Sequence, residues 1–307
     1  MQSPFLYCKP WIPAGKAADM MLIKNSGRAI VLTCVVALVA GCSAIMARAT
    51  SSMADSLADA IINQSDPETV RQGAPAFLLM MDGFVGNSPK NGSLLQGAAK
   101  LYAVYVAVFV DDPVRAKRLT EHGFSYGRRA LCVEQESVCD MHEFVYDDFI
   151  AGLQRLQTRD TPALFAFTVS WLAYIRAHSS NWGSVADLPK VEAGLERIQA
   201  LDENYESAAV HQYLGILNTL RPAALGGAPE LGRSHFEQAV EITHGQDLSI
   251  KLEYARSYAR LVYDRELHDR LLVQVVEANP EVPGFTLFNT LAQTEARSLL
   301  DAADDYF

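Results

Sequence analysis

Leu214-Gly215-Ile216-Leu217 and Gly232-Arg233-Ser234-His235-Phe236-Glu237-Gln238-Ala239 are the two runs whose reading decides the fold. Gly232, Phe236 and Ala239 share one face at helical spacing. A small residue such as Gly215 lets a second helix approach closely, and a large apolar residue such as Phe236 fills the groove left between them. The connection runs from Arg221-Pro222 to Ala228-Pro229 and is rich in turn formers. Near-identical punctuation frames the region, Ala200-Leu201-Asp202-Glu203-Asn204 before it and Glu277-Ala278-Asn279-Pro280-Glu281 after it. The stretch Leu201–Val282 therefore reads as two helix pairs.

Such a hairpin resembles a tetratricopeptide-like unit, with a connecting turn about five residues longer than a 34-residue repeat expects. Working outward, the same grammar recurs. Asp66-Pro67-Glu68 opens a helix expected to end near Asp82, with a turn over 83–92. The next helix places Ala99, Tyr102 and Val106 on one face. Asp112-Pro113 and Thr161-Pro162 open further helices. The one from Thr161 to Ala177 is apolar over so broad an arc that it is expected to be central and buried. Residues 179–186 form a loop that divides the chain into halves of about 52–180 and 187–307. No stretch alternates with a period of two. The expected fold is all-α, a compact array of antiparallel helix pairs with degenerate tetratricopeptide-like repeats.

The N-terminus follows a different logic. Ile30–Ala40 is an apolar run preceded by Lys24 and Arg28 and closed by Val39-Ala40-Gly41-Cys42. It is short for a bilayer span and fits a signal segment ending in a lipobox. Residues 1–41 are expected to leave as a signal peptide, with Met20 or Met21 as the true start. Cys42 would then carry a diacylglycerol and an N-acyl chain, and residues 42–51 would form a tether. Ser43 in place of Asp favours the periplasmic face of the outer membrane. Of 307 residues and a net charge of −10, the leader removes four basic residues and one acidic, leaving 22 against 35, a net of −13. So acidic a domain excludes nucleic-acid binding and charge-driven adhesion to anionic lipid. Of the five cysteines, Cys132 and Cys139 remain free of the leader and the lipid anchor. A disulfide is expected between them in an oxidising compartment; a metal site completed by His142 is the alternative reading.

No GxSxG, HExxH, Walker A, CxxC or GxGxxG motif is present. The seven histidines (His122, His142, His178, His211, His235, His244 and His268) are scattered and read as surface or helix-end residues. Asp147-Asp148 and Asp304-Asp305 point to different sides of a helix and suit solvated faces. The sequence therefore reads as non-enzymatic, with no metal and no cofactor beyond the acyl chains. Tyr254 with Tyr258, and Arg256 with Arg260, form two faces of one helix. They read as core tyrosines and pairing arginines, or alternatively as a groove for a ligand or partner.

The lipobox, the hairpin from Pro75 to Phe109, Arg221-Pro222-Ala223-Ala224-Leu225-Gly226-Gly227, Tyr254-Ala255-Arg256, Asp264-Arg265-Glu266-Leu267, Pro283-Gly284-Phe285-Thr286-Leu287-Phe288-Asn289 and Asp304-Asp305-Tyr306-Phe307 together resemble the TatT family. These are the T-component lipoproteins of tripartite ATP-independent periplasmic (TRAP) transporters. The resemblance implies cryptic tetratricopeptide-like units, a homotrimer, and association with the periplasmic solute-binding P component. It also implies apolar clefts or a pore that handle a ligand. A stand-alone carrier of a hydrophobic molecule and an envelope-assembly scaffold are the competing expectations.

Overall fold

The computed structural model describes residues 59–307; the leader, the acylation site at Cys42 and the tether lie outside them. Ile61–Phe307 forms one compact unit, and its described residues are helical with no strand. Eleven main helices follow in order. They are α1 (Pro67–Asn87), α2 (Gly92–Phe109), α3 (Pro113–Glu134), α4 (Tyr146–Gln154), α5 (Thr161–Ala177) and α6 (Leu188–Leu201). Then come α7 (Ser207–Asn218), α8 (Pro229–Ile242), α9 (Leu248–Ala259), α10 (Arg265–Glu277) and α11 (Thr286–Asp301).

Local chemistry explains where they begin. Asp66, Asn91, Asp112, Asp247 and Asp264 accept hydrogen bonds from backbone N–H groups of the first turns that follow them. These groups have no partner inside the helix, so a side-chain oxygen there stabilises by roughly 1 kcal/mol. Proline occupies the first turn of α1, α3, α5, α6 and α8, where its missing N–H costs nothing. α1 runs further than the sequence suggests. It continues past Asp82 through Gly83 and Gly86 to Asn87 and is closed by the Ser88 N–H on the Phe84 carbonyl. Buried Val85 supplies tertiary packing that outweighs the weak helix propensity of the two glycines. α4 begins only at Tyr146, because residues 136–143 wind into two 3₁₀ turns around left-handed Asp140.

α5 is the central element. Eleven of its seventeen residues are buried, and it packs against α2, α3 and α6. The largest core cluster joins Phe124 and Leu131 of α3, Phe149 of α4, Phe167 and Trp171 of α5, Leu195 and Ile198 of α6, and Val210 and Leu214 of α7. It thus runs across residues 179–186, where Trp182–Val185 winds into a short helical turn in place of the expected loop. A second cluster spans α8 to α11 around Phe236, Tyr254, Tyr258 and Leu272. α7 gives Val210 and Leu214 to the first cluster and packs Ala208 and Ile216 against the second. α2 is long and apolar enough to cross a membrane by composition, yet Leu95, Ala98, Ala99, Tyr102 and Tyr105 are buried on neighbouring helices.

Two buried amides of α11 hold the last helices together. Asn289 Oδ1 accepts from the Leu248 N–H (2.8 Å), and its amide donates to the Gln246 carbonyl (2.9 Å). Gln293 Nε2 donates to the carbonyls of Val275 (3.0 Å), Val276 (3.1 Å) and Ala278 (2.8 Å). Each amide therefore satisfies helix-end groups that would otherwise be buried without partners, a loss of about 1–3 kcal/mol apiece.

Candidate partner and ligand site

α7 and α8 cross closely, as the two runs quoted first require. A Cβ on Gly215 would lie 2.9 Å from the Phe236 ring, and one on Gly232 would lie 2.6 Å from Thr219 Cγ2 and 3.0 Å from the Gly215 carbonyl oxygen. Phe236 is fully buried and stacks on Tyr254 with ring centroids 5.3 Å apart.

The connection between them is long but held. Residues 223–225 form a 3₁₀ turn, and Gly226 takes φ +80, which glycine adopts without strain. A Cβ on Gly227 would strike the Arg221 carbonyl oxygen. The Gly227 N–H donates to Pro222 O (3.2 Å) and the Ala228 N–H to Asn218 O (3.0 Å). On this frame Leu220 and Leu231 are half exposed, 52% and 50%, beside exposed Ala223 and Ala224. The result is a small apolar surface carried by a fixed turn.

The candidate groove residues lie on a distorted helix. α9 changes from α to π winding at Tyr254–Ala259. Its two faces separate as their spacing suggests. Tyr254 and Tyr258 are buried, and their hydroxyls donate to Glu237 (3.2 Å) and Glu230 (2.8 Å) of α8. Burial, first, and then the neighbouring carboxylates push both phenols up, so they remain donors. Arg256 binds Glu253 and lies 3.5 Å from Glu295 of α11. Arg260 stacks over the Tyr306 ring at 3.7 Å, while the Tyr306 hydroxyl donates to the Arg260 carbonyl (3.2 Å). The tyrosines thus tie α9 to α8, and the arginines tie it to the C-terminal residues. Widened turns of this kind recur at functional sites.

Cys132 and Cys139 are joined by a disulfide with Cα atoms 4.5 Å apart. Both sulfurs are consumed in that bond, so a thiolate metal site with His142 is ruled out. His142 instead accepts from Arg128 Nη1 at its Nε2 (3.2 Å). Its carbonyl accepts from Lys190 Nζ (3.1 Å). Burial, and then the Arg128 charge, hold the imidazole below its ordinary pKa.

Two groupings escaped the sequence. In the first, Tyr102 and Tyr126 donate to opposite oxygens of Asp82 (2.8 Å each), and His122 Nε2 lies 3.2 Å from Asp82. One carboxylate so joins α1, α2 and α3. Burial and the Asp82 hydrogen bond push the Tyr126 phenol up to about 12 and raise that of Tyr102 as well. In the second, His211 of α7 and His235 of α8 bring their Nδ1 atoms to 2.9 Å. Gln199 Nε2 of α6 stands 3.0 Å from His211 Nε2. Burial lowers both imidazole pKa values. The signal is indirect: His211 is four residues before Gly215 and His235 is next to Phe236, so the contact of Gly215 with Phe236 brings the two rings together. Among the described residues, no three of His, Cys, Asp and Glu gather as a metal site.

A family model described as TRAP transporter T-component matches residues 63–307. The chain belongs to that family. The match covers every helix from α1 to α11, so the family relation extends over the hairpin, its turn and the π segment alike. T-component membership links the protein to TRAP transport. Comparison with curated proteins finds no match.

Proposed function

We propose that this T-component protein is a non-enzymatic scaffold that docks the solute-binding P component of a TRAP transporter and assists ligand uptake. In this reading Cys42 carries the acyl chains that hold it to the periplasmic face of the outer membrane. Three copies associate as a homotrimer, and the helix pairs act as degenerate tetratricopeptide-like repeats. The observation that carries the docking role is the apolar surface of Leu220, Ala223, Ala224 and Leu231. Exposed apolar side chains on a fixed backbone bind a partner with little ordering cost.

The test is co-purification of the acylated chain from membranes in mild detergent. The expected result is retention of a periplasmic solute-binding protein by the native chain and its loss with Leu220→Asp and Leu231→Asp together. Equal retention by both would remove the turn from the interface. No retained partner, with a lipid detected by native mass spectrometry, would instead favour a stand-alone carrier.

A further inference from the structure

The geometry points to a divalent transition-metal site formed by His211 and His235. The two Nδ1 atoms are 2.9 Å apart, on helices that the Gly215–Phe236 contact holds together. Nitrogen ligands about 2.0–2.1 Å from one ion lie roughly 2.9–3.4 Å apart for coordination angles from square to tetrahedral. The separation needed is already in place. Imidazole nitrogens suit Zn²⁺, Cu²⁺ and Ni²⁺ over Ca²⁺ and Mg²⁺.

Proton positions can be followed through the event. Without an ion, Gln199 Nε2 donates to His211 Nε2. The His211 proton then sits on Nδ1 and is donated to His235 Nδ1, whose own proton is on Nε2. An ion needs both Nδ1 lone pairs. The His211 proton moves to Nε2, and the Gln199 amide turns so that its oxygen accepts it. Both rings stay neutral and no net proton is released. Gln199 then becomes the outer partner that fixes the metal-binding tautomer. Both rings are half-buried, and no third His, Cys, Asp or Glu of the described residues stands ready. Water fills the remaining positions, so binding is exchangeable and micromolar in strength. The ion would staple α7 to α8 about two helical turns away from the apolar connection.

The experiment is calorimetric titration of the full chain, without an affinity tag or chelator, with Zn²⁺ at neutral pH. One ion per chain is expected. His211→Ala and His235→Ala should each weaken binding at least tenfold, and Gln199→Leu by about tenfold, with helical circular dichroism unchanged. No binding, or binding that survives both histidine substitutions, overturns the site. The unmodified chain gives an independent readout if a variant misfolds. Zn²⁺ should shield His211 and His235, and not the other five histidines, from carbethoxylation. Equal labelling of these two rings with and without Zn²⁺ would also overturn it.

Discussion

Two hairpins in this protein use one packing device and put it to different ends. In α2–α3 a Cβ on Gly123 would lie 2.7 Å from Tyr102 Cβ. In α7–α8 the corresponding contact is Gly215 against Phe236. Both pairs therefore approach more closely than helices with ordinary side chains can. The first pair is joined by three residues, 110–112, and the second by ten, 219–228. A third helix locks the first pair through Asp82. The second pair leaves its connection in solvent, with Leu220 and Leu231 exposed. Identical packing can thus support a sealed structural corner in one place and a presented surface in another. The connection, not the crossing, makes the difference.

Phe236→Ala empties a fully buried site and should cost about 3–5 kcal/mol by denaturant titration. An undiminished midpoint would mean that the α7–α8 crossing is not held by this ring. Asp82→Ala should cost roughly 2–3 kcal/mol, because two phenols largely buried with it lose their acceptor. Phe236→Ala should leave the Asp82 corner intact, so the two losses should add in the double variant.

His142 makes stability depend on pH. Its folded pKa is lowered, so the unfolded chain binds the proton more readily and stability rises with pH across its titration. The neutral ring is fully tolerated above the ordinary value of about 6.5, and stability is lost as pH falls from there toward the folded pKa. The groups facing it are Arg128, Glu143, Asp140 and Asp187, with Lys190 Nζ on its carbonyl. His142→Gln should lessen the fall in melting temperature as pH drops below about 6.5. The smallest stability effect should come from the turn. Leu220→Asp with Leu231→Asp should shift unfolding by less than about 0.5 kcal/mol per site, though partner retention is expected to fall.

Much of the fold was legible because its signals are local. Asp66, Asp112 and Asp247 announce helix starts through side-chain acceptors next to the groups they satisfy. The apolar breadth of residues 161–177 fits their central burial. Gly215, Gly232 and Phe236 meet as their spacing implies. What escaped was everything made between distant segments. Asp82, Tyr102 and Tyr126 are separated by 20 and 44 residues, and no periodicity joins them. His211 and His235 lie 24 residues apart and meet only once the crossing of α7 and α8 is known. α1 ends beyond the turn that Gly83 and Gly86 signal locally, because Val85 packs into the core. The change to π winding in α9 has no local signature at all.

That π segment also bears on how the chain could have changed length. A π turn amounts to one residue inserted into an α-helix without breaking it. Loss of one residue between Tyr254 and Ala259 would let α9 close as a regular helix and leave Arg260 and the residues after it in place, because the widened turn already absorbs the extra residue. The residue count of this helix can therefore change by one at this segment while its neighbours on both sides keep their contacts.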